Sequence, residues 1–254
     1  YAPSAVTAFI ASTMTKVAVY LLLRFFFTIF GADFSFGQMH LEMVLMPLAV
    51  VAILTMSLVA IYQDNVKRLL AYSSVAQIGY MVLGISFASV LGVTAGLIHL
   101  FNHALMKGAL FMAMGCIMYS IGSVRIDKMA GLGKKMPWTM AAFVGGGLSL
   151  IGVPFTVGFI SKWYLVQAAL ERGMWPIAAV VMVGSLMAVV YVWKVVEVAY
   201  FQTVDPDHDI KEAPLSLLIP TWALVAASFY FGIDATTTSE IATKAAEALL
   251  GVMP

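Results

Sequence analysis

A succession of apolar runs, each about twenty residues long or longer and separated by short polar loops, constrains this chain more than any other feature of its sequence. A helix needs about twenty mostly apolar residues to cross the hydrocarbon of a bilayer. Lipid offers backbone groups no hydrogen-bond partner, so each such run has to satisfy its own N–H and C=O groups as a helix. The chain divides on this criterion into about seven candidate spans: residues 4–30, 43–62, 66–87, 90–121, 137–170, 174–201 and 214–232. Composition points the same way. Hydrophobic residues make up 62% and charged residues 11%, where a soluble domain is about half apolar and a quarter charged. The expected fold class is an all-α polytopic membrane protein, with a transmembrane bundle over 1–232 and a tail over 233–254. In that tail Thr238 to Val252 alternates apolar and charged residues at helical spacing and reads as an amphipathic surface helix.

The chain opens YAPSAVTAFIASTMTK, without an initiator methionine or the pattern of a cleaved signal, and reads as the C-terminal part of a longer membrane protein. Orientation follows from the short loops. Lys67, Arg68, Arg125, Lys128, Lys134, Lys135 and Lys211 fall on one face, expected to be cytoplasmic, and Arg24 and Arg172 on the other. The loop QTVDPDHDIKEA on the first face is acidic, which carries little weight in that rule. A net charge of +1 with scattered basic residues offers no nucleic-acid surface. Lone Cys116, inside an apolar run, reads as a small buried hydrophobe.

The run from Pro137 to Leu170 is not a simple helix, because GGGLSLIGVPFTVGF concentrates residues that weaken or interrupt helices. A break is expected near Pro154, flanked by Gly152 and Gly158. Non-helical backbone at membrane depth occurs where protein or a water-filled cavity satisfies it, and transporters place ion sites at such breaks. A kink that only improves packing is the alternative. Lys162, two turns beyond Pro154, favours a site.

Ionisable groups inside these runs are the candidate functional residues, since a central charge in hydrocarbon is costly. Lys16 lies about twelve residues into its run, near the bilayer centre, whereas Arg24 is close enough to the end to reach the interface. In HLFNHALMK, residues His99, His103 and Lys107 recur every fourth position and share one helical face. Two histidines a turn apart could ligate a metal, but no carboxylate accompanies them and an ammonium would oppose a cation. No metal and no cofactor is expected. A proton relay suits the stripe, because imidazole titrates near neutrality; histidines bonded to backbone carbonyls are the alternative. Lys194 and Glu197, one turn apart near a helix end, are expected to form a structural ion pair. Ser73, Ser74 and Gln77 are expected to bond neighbouring helices, with hydration of a proton path as the other role. Central lysines without central carboxylates make a poor cage for a metal cation and a better-matched row of proton carriers. No nucleophile beside a base, phosphate loop or CxxC pair is present.

In their order, TMTKVAVYLLLR, DNVKRLLAYSSVAQIGYM, HLFNHALMKGALFMAMG, GLGKKMPW and GVPFTVGFISKWYL resemble the second half of the proton-conducting antiporter-like subunits. That family serves respiratory complex I, membrane-bound hydrogenases and the multisubunit Mrp-type cation/proton antiporters. The resemblance implies a bundle of about fourteen helices in two inverted repeats, each with a broken helix, of which this chain carries the second. It makes Lys16 the central connecting lysine, His99, His103 and Lys107 the relay into the second half-channel, and Lys162 the terminal lysine beside the break. The glutamate–lysine pair of the first repeat is expected upstream of Tyr1, so the chain as given is not expected to transport alone. Lysine at both 16 and 162 looks most like the D-type subunit of an Mrp antiporter, a pairing that some complex I and hydrogenase subunits share. The implied function is proton translocation exchanged for sodium or another monovalent cation, in a bacterial inner membrane, with lipid and other membrane subunits as partners. The alternatives are the same path in a redox-driven complex, and a proton-inert scaffold whose charges are interhelical glue.

Overall fold

The computed structural model describes residues 4–203 and 210–252. Helix α1 (Ser4–Leu23) runs on into a π-helical turn at Arg24–Ile29, and a second π-helical turn (Asp33–Gln38) leads to α2 (Glu42–Ile61). Then come α3 (Val66–Ser86), α4 (Val90–Ile121), a 3₁₀ turn (Ile126–Met129), the single turn α5 (Leu132–Lys135), and α6 (Pro137–Ile151). The chain continues through α7 (Val157–Glu171), α8 (Trp175–Phe201), α9 (Leu215–Ile233) and α10 (Thr236–Leu250). Extended pairing among the described residues is confined to one bridge, Asn65 with Arg125. Among the described residues six helices are long and apolar enough to cross a membrane. The remaining expected span, the fifth in chain order, is split: the run from Pro137 falls into α6 and α7, each too short to cross alone. The break is the one anticipated near Pro154.

Local chemistry starts and stops the helices. Asn65 caps α3, its side chain accepting from Arg68 N at 3.1 Å, and Ser89 caps α4 by accepting from Gly92 N at 3.2 Å. Gly122 ends α4 in the left-handed conformation at φ +64°. Helix α4, 32 residues long and apolar apart from the face that carries His99, His103 and Lys107, is the central post that so buried a pattern requires. It packs against α1, α3, α6, α7, α9 and α10. Its approach to α3 is close because glycines face each other: a Cβ at Gly84 would stand 2.7 Å from the Gly92 carbonyl oxygen. On α10 the small residues Ala242 and Ala246 are buried, and this helix lies against α4.

One end of the bundle gathers the starts of α3, α6 and α9 with the ends of α2, α4 and α8. There Glu212, just before α9, accepts from Trp138 N at 2.9 Å and from the Thr139 hydroxyl, capping the first turn of α6. The expected Lys194–Glu197 pair does not form. Lys194 reaches across to the end of α2, donating to the Gln63 carbonyl at 3.1 Å and pairing with Asp64 at 3.2 Å. Carbonyls left open at a helix end together with a carboxylate outbid a single carboxylate one turn away. In the acidic loop between α8 and α9, residues 204–209 lie outside the described residues.

Candidate functional site

The break positions the site. Gly152, at φ +90°, ends α6 with Gly152 N and Val153 N both donating to the Leu148 carbonyl, at 3.0 and 3.1 Å. That leaves the last carbonyls of α6 pointing out of the helix at membrane depth, where lipid offers them no donor. Lys162 of α7 does: its Nζ donates to Leu150 O at 2.9 Å and Ile151 O at 2.8 Å. An ammonium is also the charge that the negative end of a helix dipole favours. The chain can fold back this tightly because Gly158 has no side chain; a Cβ there would run into the Ser149 carbonyl. Gly232 of α9 allows the same closeness on the outer side of the break, where a Cβ would meet Phe155 and Thr156. Phe155 itself holds φ +71°, an uncommon conformation for a residue with a side chain.

From Lys162 the polar groups run along α4. Ser161, the preceding residue, lies 2.8 Å from Nδ1 of His99, and Gln77 Oε1 on α3 lies 3.0 Å from its Nε2. The carbonyl oxygen of Gln77 only accepts, so Nε2 carries the hydrogen and Nδ1 accepts from the Ser161 hydroxyl. The histidine is held by side chains of two other helices, and not by the backbone carbonyls that were its alternative partners. One turn further, the His103 ring lies parallel to that of His99, centroids 6.2 Å apart, and neither of its nitrogens has a hydrogen bond although the residue is fully buried. Another turn on, Lys107 donates to Leu70 O at 2.8 Å and to the Ser73 hydroxyl. The Tyr191 hydroxyl of α8 is buried beside Ser73 and Gln77. Lys16 is buried on α1, bonded to its own helix at Ala11 O (2.6 Å) and to Thr15 (3.2 Å), and near enough for its charge to act on His103 and Lys107.

The stripe expected on α4 thus faces Gln77 and Ser73 on α3, Ser161 and Lys162 on α7, and Lys16 on α1. Lys194 and Glu197 stand apart near the end of α8. Four further residues belong to the same neighbourhood. Ser161 and Tyr80 contact His99, Tyr191 adjoins Ser73, and Asn102 of α4 donates to Val157 O at 2.6 Å with its own carbonyl oxygen buried and unpartnered. Asn102 and Ser161 stand inside the runs already singled out for their charges, and that position was their signal. The three central lysines hydrogen-bond to neutral oxygens, whereas His40–Glu42, Arg125–Asp127 and Lys194–Asp64 form ion pairs elsewhere. Such an arrangement can hold a proton on any of several groups with no fixed counter-charge to trap it.

The family model described as NADH:quinone oxidoreductase/Mrp antiporter, TM, matches residues 1–188. The chain belongs to this family. Among curated relatives of this antiporter-like family, it is 45% identical over 215 residues to NADH-quinone oxidoreductase subunit N of Desulforudis audaxviator, covering 85% of this chain and 42% of that one. It is 30% identical over 251 residues to the D subunit of the Na(+)/H(+) antiporter of Alkalihalophilus pseudofirmus, covering 98% of this chain and 50% of the other. The structure of the Mrp complex from Dietzia sp. DQ12-45-1b contains a chain that superposes with a TM-score of 0.90 at 26% identity, over 99% of this chain and 54% of that one. The chain spans about half the length of the curated relatives it matches. It is a multi-pass membrane protein of the antiporter-like family.

Proposed function

We propose that this chain is the proton-translocating part of a subunit in a multisubunit sodium or monovalent cation/proton antiporter of a bacterial inner membrane. Its basic loops face the cytoplasm, and other membrane subunits surround it. The observation that carries this reading is the hydrogen-bonded link from Gln77 through His99 to Ser161, ending beside Lys162 at the helix break. Imidazole bonded at both nitrogens can take a proton at one and give it up at the other. Lys162 receives it where helix-end carbonyls stabilise the ammonium. In the other direction His103 and Lys107 continue the path toward Ser73, and Lys16 connects it to the preceding part of the molecule. Gly152, Pro154 and Gly158 make the break that exposes those carbonyls.

The likeness to the D subunit of a Na(+)/H(+) antiporter across nearly the whole chain supports the antiporter reading. The 45% identity with a subunit of NADH-quinone oxidoreductase favours a second, in which redox chemistry in partner subunits drives the same path. The full-length subunit with its partners, in inverted vesicles with an acid interior, decides between them. Sodium-dependent dequenching of a pH-sensitive dye that Lys162→Ala abolishes is the expected result. Unchanged dequenching would remove Lys162 from the path. No sodium response in the assembled wild type, with a quinone reductant driving acidification, would establish the redox-driven reading.

A further inference from the structure

Tyr80 of α3 is fully buried, and its ring lies between two groups of the path. Lys162 Nζ is 5.2 Å from the ring centroid, within the range over which an aromatic face attracts a cation. The His99 ring packs against Tyr80 at a 62° angle, centroids 5.5 Å apart. The aromatic ring is also held in place from behind. Its hydroxyl donates to Val181 O on α8 at 3.4 Å, and Gly184 leaves the space that this hydroxyl fills, since a Cβ at 184 would fall on it. The other partners of Lys162 Nζ, the Leu150 and Ile151 carbonyls, accept from an amine as well as from an ammonium, though more strongly from the ammonium. The ring face attracts the ammonium alone. Titratable neighbours around this point are His99 and, one turn on, His103 from α4, with Tyr191 of α8 adjoining Tyr80; α6 presents the Leu150 and Ile151 carbonyl oxygens to Lys162, and Lys16 of α1 is near enough for its charge to act on His99.

The geometry points to Tyr80 as a positioning residue for Lys162: its ring, tethered to α8, holds the protonated side chain at the break within reach of the His99–Ser161 link. This rests on the proton-translocation reading. Removing the ring weakens the hold on the charged form, so the pH profile of translocation moves to lower pH, by about half a unit to one unit for a contact of ordinary strength.

The test uses the full-length subunit in its complex, reconstituted in proteoliposomes, with Tyr80→Leu, Tyr80→Phe, Lys162→Met and the double variant Tyr80→Leu/Lys162→Met. Tyr80→Leu is expected to lower proton flux at neutral pH about three- to tenfold and displace its pH profile. Tyr80→Phe, which keeps the ring and loses the tether, is expected to restore most of that flux, and the double variant to match Lys162→Met. Equal flux in the leucine and phenylalanine variants, or a double variant well below Lys162→Met, would overturn the proposal. A thermal-melting cycle on wild type, Tyr80→Leu, Lys162→Met and their double variant stands apart from transport. Coupling between positions 80 and 162 that is present at acid pH and fades at alkaline pH supports the contact even if Lys162→Met carries full flux. Coupling absent at every pH would refute it.

Discussion

Gln77 and Ser161 hold the two nitrogens of His99 from different helices, and that arrangement sets what each substitution costs. Gln77→Leu leaves the buried Nε2–H without an acceptor, a loss of about 1–3 kcal/mol. It should show as a lower melting temperature of the purified complex together with reduced proton flux. Ser73→Ala takes one of two acceptors from Lys107 and should cost less, about 1 kcal/mol by the same measurement, since the Leu70 carbonyl remains. The charged members of this site were legible in the sequence because a lysine or a histidine inside an apolar run has few reasons to be there. Tyr80 and Tyr191 were not. A tyrosine within a span is ordinary, and only the packing of α3 against α4 and α8 shows which ones turn inward. The partner of Lys194 was also hidden, because Asp64 lies 130 residues away in the chain, while Glu197 stood at a tempting spacing.

At the scale of the element, α6 is a short helix held at both ends by side chains that other segments supply: Glu212 at its start and Lys162 at its end. Glu212→Ala should destabilise the protein by about 1 kcal/mol, the usual loss for a helix cap, seen in the thermal midpoint. Gly152→Ala should do more. It forces a side chain into φ +90° and places a Cβ 3.1 Å from Cδ of Lys162, so stability falls by about 1–2 kcal/mol and translocation falls with it. Gly122→Ala is the control: it carries the same backbone penalty at φ +64° with nothing within 4 Å, and proton flux should persist. The broken helix was readable from its glycines and Pro154. What the sequence pattern could not show is that the break ends in open carbonyls for Lys162 to fill, since that depends on Gly158 bringing α7 back against Ser149.

For the whole molecule, the loops of one end carry the basic residues and the helix starts and ends there are tied together by Lys194, Glu212 and the Asn65–Arg125 bridge. A cysteine placed at Lys135, which is exposed, should react with a membrane-impermeant maleimide only from the cytoplasmic side. One placed at Arg172 should react only from the opposite side, and the buried native Cys116 from neither. Reaction at position 135 only from the opposite side and at 172 only from the cytoplasmic side would reverse the topology, and reaction of both from one side would contradict it. The central claim is that His99 and Lys162 lie in series on one proton path. Proton flux in the reconstituted complex, compared across wild type, His99→Leu, Lys162→Ala and the double variant, tests it most directly. A path in series predicts that each single substitution removes most of the flux and that the double variant is no lower than the worse single one. Single variants that each keep substantial flux, with losses that multiply in the double, would contradict it.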